Sequence, residues 1–332
     1  MKEIIKNANK GVAPSIRGMD VACRFFWEIG LPFIEKKFSP YIDRIAAGLV
    51  AAGSDCSGND DEVSRDYNWG PRFQVYLNPS DFQEIGASLQ NELDTIPSYF
   101  EGISCNPSDN HIIKVYSIDG FFSEKTSNGV GTGFPQAPKS AMDWLRIPEH
   151  CLFDVTRGQV FYDPLGEFTE RQQGFAAYYP DDAWFKRIAA AMSECGKYGS
   201  HLMQRSLARD DYFTADMAWW KFTESTMKLG FLLNRSYAPW QKWLYQEFSK
   251  LPLVAPYVTD MLWDGQCDAS RRPKIVERME CIYSSIVKEL ELVGSNLDIA
   301  SSNLSELAKY VSSQISDPDV VKLAVWVDTI HS

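Results

Sequence analysis

Hydrophobic and polar positions divide the chain into two halves of different character. Residues 19–37 read as a helix, interrupted near Gly30–Pro32. Residues 44–52 (RIAAGLVAA) are small and apolar and stop at Gly53-Ser54, which predicts a buried strand running into a turn. Residues 72–77 (RFQVYL) alternate polar and apolar and predict a second strand. Pro79-Ser80-Asp81 then opens a helix, with Ser80 as its expected N-cap. Residues 111–118 (HIIKVYSI) predict a further strand with Asp119 at its end, residues 127–138 (SNGVGTGFPQAP) a loop, and residues 151–162 a hairpin about Arg157-Gly158.

After Tyr179-Pro180 the pattern becomes helical throughout. Asp181 and Asp182 stand where acidic side chains favour a helix N-terminus. Ile275, Met279, Ile282, Ile286, Leu290 and Val293 step by three and four and mark one face of an amphipathic helix. Tyr237, Trp240 and Trp243 are spaced by three, also one helical face. The expected fold class is therefore α+β: a mixed sheet with helices over residues 1–180, then an all-helical bundle over 181–332 that helps hold substrate.

Composition adds limits. Among 332 residues, 45% are hydrophobic and 23% charged, ordinary for a globular protein. The net charge is −11, which argues against non-specific binding of nucleic acid. The start, MKEIIKNANKG, has no apolar core of a signal peptide, and no apolar run approaches the ~20 residues that cross a bilayer. Seven widely spaced Cys without a CxxC fit reduced thiols. A cytoplasmic protein with no membrane partner is expected. The four His show no zinc spacing, and neither GxSxG nor GxxxxGK[ST] occurs, which sets aside zinc peptidases, serine hydrolases and P-loop enzymes. GVGTG is not GxGxxG and reads as plain loop.

The richest segment is residues 53–72, GSDCSGNDDEVSRDYNWGPR. A strand ends in Gly-Ser, a loop follows, and Asp66-x-Asn68 precedes the next strand. This resembles the nucleotidyltransferase signature of the polymerase-beta-like superfamily, Gly-Ser followed about ten residues later by Asp-x-Asp. Gly53 lets the backbone approach a triphosphate, and Ser54 offers a hydroxyl and an N–H to phosphate oxygens. Two oxygen ligands two residues apart on a strand share a face and can hold Mg²⁺. Asp66, Asn68 and Asp119 are the candidate metal ligands, Asp66 and Asp119 the candidate catalytic carboxylates, and Gly53, Ser54, Arg65 and Lys242 the candidate nucleotide-binding residues. Arg72 is a further candidate for neutralising phosphate, unless it pairs with Asp60, Asp61 or Glu62.

The segments GSDCSGNDDEVSRDYNWGPR, RIPEHCLFDVTRGQVFYDPLGEFTERQQ, AYYPDDAWFKRIA and FLLNRSYAPWQKWL occur in an order similar to that of a bacterial family of unknown function with the nucleotidyltransferase fold. The likeness spans about residues 25–250. It implies a Mg²⁺-dependent transfer of a nucleoside monophosphate from an NTP to an acceptor that the sequence does not identify. The usual family form is Ser-Arg-Asp-His-Asp-Trp-Gly-Pro; here Tyr67 and Asn68 replace His and Asp. Asn offers only a neutral carbonyl to a hard cation. That substitution motivates a second reading, a non-catalytic relative that binds a nucleotide or a protein partner. Helical partners of such domains are sometimes ribonucleases with Arg followed closely by His; no such His follows Arg205, Arg209 or Arg235.

Overall fold

The computed structural model describes residues 16–65, 68–97, 99–105, 112–127, 129, 132–290 and 303–330. The chain divides into two compact units. The first comprises Met1–Phe122 and Asp154–Gln173, the second Ser123–Phe153 and Gly174–Ser332. This differs from the single break near residue 180 expected from the change to a helical pattern. The chain leaves the first unit, returns to it with one strand, and leaves again.

The first unit is built on a four-stranded mixed sheet ordered β5-β2-β1-β6. Its strands are β1 (Ala46–Val50), β2 (Phe73–Leu77), β5 (Ile113–Ser117) and β6 (Gly158–Tyr162). β1 is antiparallel to both β2 and β6, and β2 is parallel to β5. A small hairpin, β3 (Tyr99–Phe100) and β4 (Ile103–Ser104), lies apart from this sheet.

β1 and β2 are buried along their whole length, because both faces of the sheet are covered. The alternation in RFQVYL is thus not an exposed face. Phe73, Val75 and Leu77 join Phe25, Phe26, Ile34, Leu89 and Leu93 in the hydrophobic core. The opposite face carries Tyr76, stacked on Phe168 with ring centroids 3.8 Å apart and edge-on to Phe121 at 5.0 Å. Gln74 is tolerated there because its Oε1 accepts hydrogen bonds from Val50 N (2.9 Å) and Tyr76 OH (2.6 Å).

The helix predicted over 19–37 is α1 (Gly18–Phe25), a π-helical turn (Phe26–Gly30) and α2 (Leu31–Phe38). Pro32 follows the π-helical turn directly, where the change of hydrogen-bond pattern accommodates its missing N–H. α3 (Pro79–Leu93) is capped by Asn78, whose side chain accepts from Asp81 N, rather than by Ser80; Pro79 takes the first helical position. α4 (Ile118–Ser127) follows β5 directly. The expected hairpin over 151–162 is half right. β6 forms, but Cys151–Val155 belongs to a helix, α6 (Glu149–Val155), after the short α5 (Ala141–Trp144). Gly158 opens β6 at φ +112°, and a Cβ there would sit 2.1 Å from Leu49 O, so the strands meet this closely only with glycine. α7 (Glu167–Ala176) completes this stretch.

The second unit is helical among its described residues. α8 (Asp181–Cys195) begins at the predicted acidic pair and packs against α10 (Tyr212–Leu233) and α14 (Leu304–Ser312). A π-helical stretch (Gly196–Met203) and α9 (Gln204–Leu207) join α8 to α10. α11 (Gln241–Phe248), α12 (Ala255–Cys267), α13 (Arg272–Glu289) and α15 (Pro318–Val321) complete it. α13 buries Ile275, Met279 and Ile286 as the pattern predicts, but fully buries Tyr283 in preference to Ile282; Val293 lies outside the described residues. Tyr237, Trp240 and Trp243 do not form a helical stripe. Pro239 disfavours helical backbone at Ala238, and α11 starts only after Trp240. Tyr237 is buried and Trp240 exposed. All seven cysteines are free thiols, and among the described residues no helix is long and apolar enough to cross a membrane.

Candidate functional site

The sheet register decides which predicted residues meet. β1 runs antiparallel to β2 with Ala46 opposite Tyr76 and Gly48 opposite Gln74, so the Gly53-Ser54 turn leaves β1 at the end where β2 begins. Asn68 leads into that same end. Gly53 has φ 141° and ψ −175°, a conformation essentially reserved for glycine. A Cβ on it would lie 3.1 Å from Asn68 O, 3.1 Å from an Arg72 guanidinium nitrogen and 3.4 Å from Asp55 Oδ1. The Gly-Ser turn and the end of the Asp-x-Asn segment are thus in contact. Ser54 starts a 3-10 turn (Ser54–Ser57), and its hydroxyl donates to Ser64 O at 3.4 Å, which ties the turn to the residues just before Arg65. Asp66 and Tyr67 lie outside the described residues.

Beneath this turn lies an ion pair that the sequence reading did not identify. Arg72 donates through two nitrogens to Asp55 Oδ2 (2.7 Å) and Oδ1 (2.8 Å), and through one of them also to Ala52 O (2.8 Å). Both side chains are almost fully buried. Burial opposes the guanidinium's charge, but the attraction and hydrogen bonds of Asp55 outweigh it and hold the Arg72 pKa above its ordinary value. Arg72 is therefore spent on structure, and its partner is none of Asp60, Asp61 or Glu62. Asp60 accepts from Gly18 N (2.7 Å) and Trp69 Nε1 (3.0 Å), which anchors the start of α1 to the loop. Arg65 donates to Ile16 O at 3.0 Å, and its guanidinium lies 4.5 Å from the centre of the Trp69 ring. Its Nε is buried without a hydrogen-bond partner. Burial pushes the thiol pKa of Cys56, next to the ion pair, up to about 12.

Asp119 is not brought to this end. β2 and β5 are parallel, with Phe73 level with Ile113 and Leu77 with Ser117. Asp119 follows Ser117, so it stands beyond the far end of the strand pair, roughly 13 Å or more along the strand direction from the Gly53 end. Its carboxylate accepts from Arg171 at 2.8 Å. Reading Asp119 as a third ligand required only a strand ending in Asp; the pairing of β5 with β2 sets which end of the strand matters. Among the described residues no group of three or more His, Cys, Asp or Glu is arranged to hold a metal ion.

Lys242 belongs to the second unit, in the first turn of α11. It is exposed, with its ammonium 5.3 Å from the Trp243 ring centre. Arg235, from the same motif, lies 3.4 Å over the Trp184 ring and pairs with Asp181 at 3.2 Å.

The second unit holds a group of charges that spacing alone did not reveal. Glu149, Arg187, Glu194, Ser225, Lys228 and Asp328 line a cavity of about 20 Å³, room for about one water. Arg187 is buried, donates to Ile147 O at 2.8 Å, and has an unpartnered Nε. Glu149 is partly buried, and desolvation pushes its carboxyl up to about 7 against the pull of Arg187 and Lys228. Burial lowers the neighbouring His150 to about 4, and its ring packs on Trp240. The only sequence sign was an Arg and a Glu facing the apolar side of their helices.

Residues 144–244 match the model of a family described as a domain of unknown function (DUF4037). Among solved structures, a nucleotidyltransferase-like protein from Exiguobacterium sibiricum is similar over 86% of this chain and 89% of its own, at 9% identity and a TM-score of 0.32. No curated protein matches the chain.

Proposed function

We propose that the Gly53-Ser54 turn and the Asp66–Asn68 segment form a nucleotide site for metal-dependent nucleotidyl transfer. The observation that carries the reading is the contact of Gly53 with Asn68 at one end of the sheet, held by the buried Asp55–Arg72 pair. In this reading the acceptor attacks the α-phosphorus of an NTP, a nucleoside monophosphate passes to the acceptor, and pyrophosphate leaves. Gly53 gives the phosphates access to the backbone, Ser54 supplies hydroxyl and N–H donors, and Asp66 with Asn68 supplies oxygen ligands. Mg²⁺ bound there would neutralise phosphate charge. Of the nearby described carboxylates, Asp55 is engaged by Arg72, Asp60 by Gly18 and Trp69, and Asp61 by Ser64 N, while Glu62 is exposed at the start of the Glu62–Arg65 turn. The metal reading therefore rests on Asp66, with Glu62 as the nearby acid that could add charge. Positioning and charge neutralisation would do most of the catalysis.

The neutral Asn68 favours a second reading, a relative that binds nucleotide without turning it over. Calorimetric titration with ATP, GTP, CTP and UTP, each with and without Mg²⁺, separates the two. Mg²⁺-dependent binding of one triphosphate that is lost in Asp66→Ala supports transfer. Binding indifferent to Mg²⁺ supports the non-catalytic reading, and retained turnover in Asp66→Ala sinks the transfer assignment.

A further inference from the structure

A slot in the second unit is built differently from everything above. It lies among α10, α11 and α12 and is lined by Trp219, Trp220, Tyr245 and Trp263, with Met227 and Leu262 beside them. Trp219 is buried, while Trp220, Tyr245 and Trp263 are each about half exposed, at 55%, 51% and 49%. Half-exposing three such side chains leaves on the order of 300 Å² of apolar surface open, the scale at which a monomer's largest patch is often functional. The slot holds about 170 Å³. An apolar cavity of about 150 Å³ takes up benzene.

Besides the tryptophans, its polar lining side chains are Thr223, Tyr245 and Gln266, and among the described residues no charged side chain lines it. Flat walls favour a flat occupant, because stacked and edge-on ring contacts add to area burial. The absence of lining charge favours a neutral one. The Tyr245 phenol and the Gln266 amide favour a ring that carries a hydrogen-bonding atom at its edge.

We propose that this slot binds a small neutral planar aromatic group with one polar edge. The proposal stands on the second unit alone and is independent of the nucleotidyl-transfer reading. The test is ligand-observed NMR with calorimetry on the full chain, using phenol, indole, benzene and cyclohexanol as probes. Phenol and indole should bind saturably, and cyclohexanol, similar in size but not flat, at least tenfold more weakly. Trp220→Ala and Trp263→Ala change half-exposed residues, should leave the circular dichroism unchanged, and should each weaken phenol at least tenfold. Gln266→Leu should weaken phenol at least threefold, leave benzene unaffected and not lower the melting temperature, a combination that a packing role for Gln266 would not give. The proposal is overturned by no saturable binding, by equal binding of cyclohexanol and phenol, or by binding that survives both Trp substitutions.

Discussion

Replacing Asp55 by Ala removes one partner of a buried ion pair and leaves the other in place. Arg72 would lose both bonds to the carboxylate, at 2.7 and 2.8 Å, and keep only the one to Ala52 O. Two hydrogen bonds to charged groups at ~1.5–3 kcal/mol each give about 3–6 kcal/mol, close to the ~3–5 kcal/mol typical of breaking a buried pair. Against a domain stability of about 5–15 kcal/mol this is severe. The double variant Asp55→Leu/Arg72→Met removes both charges and should recover at least about 2 kcal/mol of that loss, since an apolar pair of similar volume is often neutral in such a place. Native-state hydrogen exchange of the β1 and β2 amides reads the first unit's stability without requiring the two units to unfold together. A loss under about 1 kcal/mol in Asp55→Ala, or a double variant no more stable than the single one, would refute the reasoning.

Three further outcomes follow from the geometry. Gly53→Ala forces a side chain into glycine-only backbone and against Asn68 and Arg72; it should cost about 1–3 kcal/mol by thermal denaturation and abolish any triphosphate binding seen by calorimetry. Asp119→Ala should change Mg²⁺-NTP affinity less than twofold and stability by under about 1 kcal/mol, because its Arg171 pair is exposed and lies at the other end of the sheet; a loss of binding would return Asp119 to the site. Glu149, raised from 4.5 to about 7, holds its proton longer in the folded than in the unfolded chain, so its contribution to stability is present at low pH and lost as pH rises from about 4.5 to 7. Glu149→Gln should therefore gain on the wild type by up to about 3 kcal/mol between pH 5 and pH 8 in urea unfolding; His150, unchanged in the variant, cancels in the comparison, and a pH-independent difference would rule the account out.

Local signals proved legible where one residue's chemistry settles the geometry. The apolar run before Gly53-Ser54 forms β1, although the strand stops at Val50, Asp181 opens α8, and the helix changes pattern at Gly30–Pro32 as expected. What stayed hidden depends on pairings between distant segments. RFQVYL alternates like a half-exposed strand, but both sheet faces are covered, and Gln74 is buried only because Val50 and Tyr76 satisfy it. Asp119 is a strand-end carboxylate at the wrong end, which only the parallel register reveals. Asp55 sat beside Ser54 in plain view, yet its partner Arg72 lies 17 positions on in the sequence. Tyr237, Trp240 and Trp243 kept helical spacing across Pro239, where helix cannot form, and the slot walled by Trp219, Trp220, Tyr245 and Trp263 draws on three helices, so no single period announces it.

The return of the chain to pair β6 with β1 has a consequence for biosynthesis. β1 waits for a partner on the order of 110 residues downstream. At about 5–20 residues per second, that is a delay of roughly 5–20 s on the ribosome. In that interval the β6 side of β1 presents open backbone donors and acceptors beside the apolar Ala46–Val50 run, the kind of edge that pairs with other chains. Residues 123–153, which belong to the other unit, are made before the first sheet can close. The two units are therefore interleaved in order of synthesis, and a nascent chain halted before residue 158 would carry an unfinished sheet.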